Sequence, residues 1–390
     1  MPTTLLLLLA CLVLLYMITL FYFNRGFRYL IYPFVDGNPL PTVSVIIPAR
    51  NEAHHIDGLV KSLERQNYPS ELLEFCIIDD RSSDSTFARI EACAKELSNV
   101  IPLRIADTVP HVAPKKRAID LGIRRSSGEI ILVTDADTCH GENWVRSFAS
   151  RFADDVAMIC GYSPYYPRRN FWQKILALEY FSLAAVSAAG IGIGLPLTCT
   201  GSNLGYRRRA YYAIGGFEKI ASFVSGDDDL LLHEMHRRRA GRILYLPQPA
   251  AAAKTEPPDS LRQFFWQRIR FASKGRHYEP EMTASLIAVY LMNLLLGAGI
   301  FLSLVFAKWL WIGVIAAAWM AKALAEFLFL RRAAIFFSEH SLLRYFLASS
   351  ILHPFYIILF GALGQFLSFR WKGDRYKRRL TAQPLAGATK

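Results

Sequence analysis

The sequence predicts an α/β protein: a mostly parallel β-sheet with helices on both faces, flanked by apolar helices of membrane-spanning length. Three observations lead there. Between residues 42 and 138, short β-branched runs alternate with segments of helical spacing, joined by short turns, which is the pattern of successive strand–helix–strand units. Residues 5–23 carry no charge, and uncharged stretches recur at 284–307, 309–321 and 346–369; about 20 apolar residues cross roughly 30 Å of hydrocarbon as helix. The 390-residue chain is 53% apolar and only 20% charged, greasier than an ordinary soluble domain and long enough for more than one unit.

The elements follow in order. "TVSVIIPA" (42–49) is a buried strand closed by Pro48, and "HHIDGLVKSLERQ" (54–66) follows at helical spacing. "LEFCIIDD" (73–80) reads as strand, "STFARIEACAKEL" (85–97) as helix and "PLRIAD" (102–107) as strand. "KKRAIDLGIRRS" (115–126) is helical, and "GEIILVTDADT" (128–138) is a strand that ends in acids. In such sheets ligands bind beyond the carboxyl ends of the strands. Arg50 to Glu52, Asp79 with Asp80, and Asp135 with Asp137 are therefore expected at one rim.

The apolar run 5–23 lacks a basic leader and a small-residue cleavage site, so residues 1–24 read as a retained anchor rather than a signal peptide. Arg25 and Arg28 follow it directly, and positive flanks prefer the cytoplasmic side. The chain is thus expected to be an integral membrane protein with its globular part, 42–275, in the cytoplasm (at the inner membrane if bacterial). Residues 175–201 are nearly apolar apart from Glu179, but glycines and a proline crowd the second half. That favours a helix lying at the interface over a further crossing. Three crossings within 284–369 would leave the basic tail 370–390 outside, against the positive-inside tendency. Residues 346–369, interrupted by His353 and Pro354, are therefore expected to form a re-entrant or interfacial hairpin.

A formal charge of +13 raises nucleic-acid binding, but no such motif is present. The basic residues instead cluster beside apolar segments, at Arg331 and Arg332 and in "RWKGDRYKRR" (370–379). Anionic lipid headgroups or an anionic nucleotide account for that placement better. Six cysteines form no CxxC pair and read as reduced packing residues. His233 and His236 stand three apart on an expected helix with no third ligand in view, a surface pair rather than a metal site.

Two acidic groups carry chemistry. Asp135 and Asp137 stand two apart at a strand end; in a regular strand both face one side and repel unless a cation intervenes. Mg2+ or Mn2+ takes carboxylates together with substrate phosphates, although a bare D-x-D also occurs in solvated turns. Asp227, Asp228 and Asp229 stand directly before Leu230 to Leu232, an unfavourable crowding of like charge against an apolar run.

The residues then become recognisable. "SVIIPARNEA", "IIDDRSSDST", "KKRAIDLGI", "GEIILVTDADT", "TGSNLGYRR", "GDDDLLLHEM" and "QRIRF" resemble, in order and spacing, the motifs of family 2 glycosyltransferases over about residues 42–275. The resemblance implies a Rossmann-like, nucleotide-sugar-binding GT-A fold, a UDP-sugar donor, a divalent metal and inversion at the anomeric carbon. By the same resemblance Ala49, Arg50, Asn51 and Glu52 contact the nucleotide, Asp80 holds the uracil with Asp79 beside it, and Lys115 lies near the base or ribose. Asp135 and Asp137 match the metal pair, Asp137 the direct ligand. The triple-acid stretch falls at the catalytic-base motif. Its register is open between Asp227 and Asp228, with Asp228 preferred, while Asp229 reads as a helix-start acid. Gly201 and Asn203 of "TGSN" match the acceptor-side loop. Gln267 and Arg270 match a Q-x-x-R-W element near the diphosphate, with Phe271 in place of tryptophan and Trp266 close by. That departure argues against processive elongation of a polymer. Within the family the chain looks most like enzymes that glucosylate membrane lipids, of the carotenoid or ceramide type, with a processive polysaccharide synthase as the alternative.

Overall fold

The computed structural model describes residues 3–32, 40–108, 112–273, 278–371 and 374–376. The chain divides into two compact units, each described by itself.

The first, built from 32–164 and 198–256 with residues from 368 onward, is an α/β unit. Its seven-stranded sheet has the order β3-β2-β1-β4-β7-β6-β8. The strands are β1 (Val43–Ala49), β2 (Leu73–Asp80), β3 (Val100–Ile105), β4 (Ile130–Val133), β6 (Val156–Gly161), β7 (Leu204–Arg207) and β8 (Arg242–Leu246). β1 pairs in parallel with β2 and β4, β2 with β3, and β6 with β8, while β7 runs antiparallel between β4 and β6. A small ladder joins β5 (Thr138–His140) to β9 (Ala253–Thr255). β1 is buried almost throughout because it is central, with sheet neighbours on both sides, hence its continuous β-branched run.

Helices α2 (Ala53–Glu64), α3 (Thr86–Glu96) and α4 (Pro114–Arg125) connect the parallel strands. Ile56, Leu59 and Leu63 of α2 pack with Val45, Ile47, Phe75 and Ile77 in one core, so the helical and strand periodicities meet there. Short helices α5 (Trp144–Ala149) and α7 (Arg208–Ala213) and the nine-residue α8 (Asp229–Arg237) complete the unit. The strand expected over 128–138 is shorter than its apolar pattern. Its pairing to β1 ends at Val133, and Thr138 N donates to Asp135 O, so Asp135 and Asp137 lie in a turn and not on one face of a strand.

The second unit, 1–31, 165–197 and 257–367, is helical: α1 (Thr3–Phe23), α6 (Phe171–Gly192), α9 (Leu261–Ala272), α10 (Pro280–Val305), α11 (Trp309–Phe337) and α12 (Phe346–Phe366). Five helices among the described residues are long and apolar enough to cross a membrane: those at Thr3–Tyr29, Phe171–Gly192, Pro280–Val305, Trp309–Phe337 and His340–Phe366. Leu9 and Val13 of α1 pack with Met292 and Leu296 of α10 and Ile315 of α11, so the N-terminal helix is part of a bundle. In the same unit Lys322 donates to Glu326 at 2.8 Å, and Tyr16 donates to the same carboxylate at 2.9 Å.

One expectation changes here. Residues 346–366 form one continuous helix with Pro354 inside, not a hairpin. A proline within an apolar helix is tolerated where neighbouring helices satisfy the freed backbone groups. Of the glycines of 175–201, Gly190 and Gly192 lie within α6, while the helix ends at Gly192, before Gly194 at φ 79° and Pro196. Gly192 allows contact: a Cβ on it would lie 2.2 Å from Gly26 O, and one on Gly26 only 2.0 Å from Ala189 O. Two backbones cross there with no room for a side chain. Residues 377–390, most of the expected basic tail, fall outside the described residues, as do the side chains of 369–376.

Candidate active site

The loops after β1, β2 and β4 lie at the carboxyl edge of the parallel strands, where the sequence places its polar groups. After β1, Asn51 adopts φ 53°, a left-handed conformation that asparagine tolerates. Its Oδ1 accepts from Ser83 N at 2.9 Å, and its own N–H donates to Ser82 Oγ at 2.9 Å. Buried Glu52 donates its N–H to Thr86 Oγ1 at 2.9 Å. The β1 and β2 loops are thus stitched together through "RNE" and "RSSDST". Arg50 is half-buried beside them, and Ala49 is buried as the last residue of β1.

At the end of β2 the two acids differ. Asp79 is fully buried, and both its carboxylate oxygens lack a hydrogen-bond partner among the described residues; Arg104 Nε is 3.8 Å away. Asp80 accepts from Arg81 Nε at 3.0 Å and from Arg117 Nη2 at 2.6 Å. Sequence reasoning missed Arg117, because helical spacing alone does not say which strand end it meets.

The decisive geometry lies at Lys115, in the first turn of α4. Its ammonium sits 2.7 Å from Asp135 Oδ1 and 2.9 Å from Asp227 Oδ2. Burial by itself would depress this lysine, but the two carboxylates more than offset it and hold the ammonium well above its ordinary value. A Cβ built on Gly201 would meet Asp227 Oδ2 at 2.9 Å, Lys115 Nζ at 3.3 Å and Asp228 Cβ at 3.4 Å. Residues from α4, the β4 turn, the "TGSN" loop and the acid stretch therefore converge on one point.

The three consecutive acids have three environments. Asp227 is buried and paired with Lys115. Asp228 is more exposed and caps α8, accepting from Asp229 N at 2.7 Å. Asp229 opens α8 as expected of a helix-start acid. It does more: its Oδ1 accepts from Thr198 Oγ1 and Cys199 N, both at 2.9 Å, and so ties down the start of the "TGSN" loop.

The His55 imidazole is raised, most by the Glu52 hydrogen bond, against the pull of burial, with the charges of Glu52, Asp137 and Glu256 adding to it. His55 Nδ1 is 2.7 Å from Glu52 Oε2. Glu52, His54 and His55 bring oxygen and nitrogen donors within 4.8 Å of one another. The signal for this group was the "NEAHH" spacing, with histidine three residues after the acid on one helix face.

Asn203 is not a surface group of the acceptor loop. Fully buried, it donates from Nδ2 to Tyr162 O and Ala251 O, each at 2.8 Å, and accepts from Trp144 Nε1 at 2.9 Å. The amide is spent on scaffold, and "TGSN" contributes Gly201 to the convergence. Behind it, His140 accepts or donates at Thr134 Oγ1, 2.9 Å away, and burial pushes its pKa down to about 3.

Gln267, Arg270, Trp266 and Phe271 belong to the helical unit, on α9. Gln267 Oε1 accepts from Tyr165 OH at 3.1 Å. Trp266 is half-buried against Phe265. Phe271, where the motif has tryptophan, lies 5.3 Å from the Arg270 guanidinium and 5.4 Å from that of Arg268. Arg268, which the sequence did not single out, is buried and stands 2.5 Å from Glu179 of α6; that partner explains the lone acid of the 175–201 stretch. His233 is half-buried and His236 exposed on α8.

Comparison with known families decides what this arrangement is. The model of glycosyl transferase family group 2 matches residues 130–369, more than half of the chain, and that of glycosyl transferase family 2 matches residues 44–215. The chain belongs to glycosyl transferase family group 2. Among curated relatives, this glycosyltransferase is 27% identical over 249 residues to an N-acetylglucosaminyltransferase of Rhizobium meliloti, covering 61% of this chain and 56% of the relative. It is 28% identical over 243 residues to a beta-monoglucosyldiacylglycerol synthase of Trichormus variabilis, covering 60% and 49%. The chain thus spans about half the length of the curated relatives it matches. Among solved structures, a mannosyltransferase of Pyrobaculum calidifontis in complex with GDP-Man and Mn2+ superposes with a TM-score of 0.52 at 20% identity, covering 89% of this chain and 98% of that one. That likeness is one of fold.

Proposed function

We propose that this chain transfers a single sugar, glucose first among candidates, from a UDP-sugar to the hydroxyl of a membrane lipid such as a carotenoid, another isoprenoid or a sphingolipid. The observation that carries the reading is the convergence of Lys115, Asp135, Asp227, Asp228 and Gly201 in a chain that also has five helices of membrane-spanning length among its described residues. A relative named for a glucosyldiacylglycerol product supports a lipid acceptor. Residues 42–275 supply the catalytic part, 1–24 and 284–369 the membrane segments, and Arg25 and Arg28 favour a cytoplasmic site.

In this reading Asp228 accepts the proton of the acceptor hydroxyl as it attacks. Asp227 is the less available base, because its buried carboxylate is already engaged by the Lys115 ammonium; its part is to place Lys115. By the family resemblance, Ala49, Arg50, Asn51 and Glu52 are assigned to the nucleotide, Asp80 with Asp79 to the uracil, Lys115 to the base or ribose, Gln267 and Arg270 to the diphosphate, and Trp266 and Phe271 to the acceptor. A divalent metal, Mg2+ or Mn2+, supplies charge neutralisation to the departing diphosphate when bound. The donor set fits one. Asp137 and Asp135 are half-exposed carboxylates on a turn, and Glu52, His54 and His55 add a second group of oxygen and nitrogen donors.

The relatives named as N-acetylglucosaminyltransferases favour a second reading, a processive synthase that uses an N-acetylhexosamine donor. Phe271, engaged by two arginines, weighs against it. Membranes containing the chain, incubated with metal and labelled UDP-glucose or UDP-N-acetylglucosamine and then extracted, separate the two. Label in organic-soluble lipid is expected; label confined to insoluble polymer overturns the proposal. Asp228→Asn is expected to lower transfer by at least about a hundredfold while nucleotide binding survives. The same loss in Asp227→Asn, with Asp228→Asn active, moves the base to Asp227.

A further inference from the structure

Two lysines stand side by side at the start of α4, after Pro114. A helix N-terminus is its positive end, where cations are disfavoured, so each needs compensation. Lys115 finds it in Asp135 and Asp227. Lys116 finds it differently. Its side chain is only 1% exposed, and its ammonium donates to two backbone carbonyls of one loop, Phe223 O and, at 3.0 Å, Ser225 O. Just before the helix, Ala113 N donates to Ala221 O at 2.8 Å. The head of α4 is thus fastened to residues 221–225.

That loop leads straight into the acids. Between the short turn Glu218–Ile220 and α8 it has no regular ladder of its own. Gly226 turns it sharply at φ 88°, where a Cβ would lie 2.6 Å from Leu230 Cγ. The position of Asp227 and Asp228 therefore depends on side-chain contacts, and two come from adjacent residues of one helix turn. Lys115 takes the Asp227 carboxylate and Lys116 the backbone two to four residues before it. Desolvating an ammonium is costly, and the charge-assisted bonds to the two carbonyls, of fixed geometry, help to repay it.

We propose that Lys116 is a positioning residue for the acid pair: by holding the carbonyls of 223 and 225 it sets where Asp228 stands relative to Lys115 and Gly201. This rests on the reading of Asp228 as the base. Lys116 touches neither sugar nor nucleotide in this account; it acts through the loop.

The test uses the full chain in membranes. Lys116→Gln, which keeps polarity but shortens the reach and removes the charge, is expected to lower kcat about tenfold or more with the KM for the nucleotide sugar within about twofold, since a small misplacement of a reacting group costs that much. Lys116→Arg, still able to donate to both carbonyls, is expected to recover most of the loss. Hydrogen exchange in Lys116→Gln is expected to rise in the peptide spanning 221–229 and to stay unchanged in β1 and β2. Wild-type kcat in Lys116→Gln overturns the inference, as does a loss of exchange protection spread over the whole sheet, which marks a purely structural lysine. If instead Asp228→Asn remains active, it is the assignment of the base that fails.

Discussion

Gly201→Ala is the sharpest single test of the convergence. The added Cβ would stand 2.9 Å from Asp227 Oδ2 and 3.3 Å from Lys115 Nζ, against an ordinary carbon–oxygen approach of about 3.4 Å. The carboxylate must retreat by about 0.5 Å, which stretches its 2.9 Å ion pair to Lys115 by a similar amount. With an effective dielectric of about 20, Coulomb's law makes that worth about 0.8 kcal/mol, or roughly fourfold in rate. Displacement of the neighbouring Asp228, whose Cβ is 3.4 Å from the same point, adds a positional penalty of similar or greater size. The expected result is a fall in kcat of about 5- to 30-fold. The backbone at Gly201 has no left-handed strain and the crowded atoms end flexible side chains, so thermal stability is expected to fall by no more than about 1 kcal/mol. The assay is initial-rate transfer of labelled sugar over a range of donor, paired with a melting curve in detergent. Unchanged kcat refutes the claim that Gly201 abuts the working acids; a large loss of stability with residual activity per folded molecule unchanged refutes it equally.

The other predictions concern scaffold. Asn203→Ala removes three buried hydrogen bonds and takes that partner from Ala251 O and Trp144 Nε1, while Tyr162 O keeps the bond from Ala253 N. It is expected to cost about 3–5 kcal/mol, read as a melting temperature lower by roughly 10 °C; a shift under about 2 °C would show that the amide is not spent as described. His140 is held neutral, its pKa pushed by burial from the ordinary 6.5 down to about 3. The unfolded chain takes up that proton below about pH 6.5 and the folded one does not, so the stability His140 contributes is complete above 6.5 and lost as pH falls toward 3. Denaturant unfolding between about pH 7 and 4.5 should show His140→Asn with a slope shallower than the wild type by up to about 1.4 kcal/mol per pH unit. Identical slopes would place the acid sensitivity in other groups.

Much of the fold was legible because it is written in local periodicity. The alternation of β-branched runs and helical spacing over 42–126 reproduces β1, α2, β2, α3, β3 and α4 to within a few residues, since burial on both faces of a central strand and one face of a helix selects residue types directly. Where the pattern misled, the end of a ladder or a contact distant in sequence was responsible. Residues 134–138 follow the apolar run of β4 directly and read as its end, yet the ladder to β1 stops at Val133 and the chain turns, with Thr138 N donating back to Asp135 O. The glycines of α6 read as breakers in isolation, but they are the contact that admits Gly26.

The candidate site divides the same way. The sequence by itself singled out which acids, lysine and glycine to expect at the candidate site, because short motifs of fixed spacing fall on loops at predictable strand ends. Tertiary structure alone decided how they are shared out: that Lys115 bridges Asp135 and Asp227, that Asn203 is scaffold, and that Lys116 grips the loop before the acids. Those partnerships join residues tens to more than a hundred positions apart. A charge carries no label for its counter-charge along the chain; only packing brings the two within 3 Å and selects one partner from many.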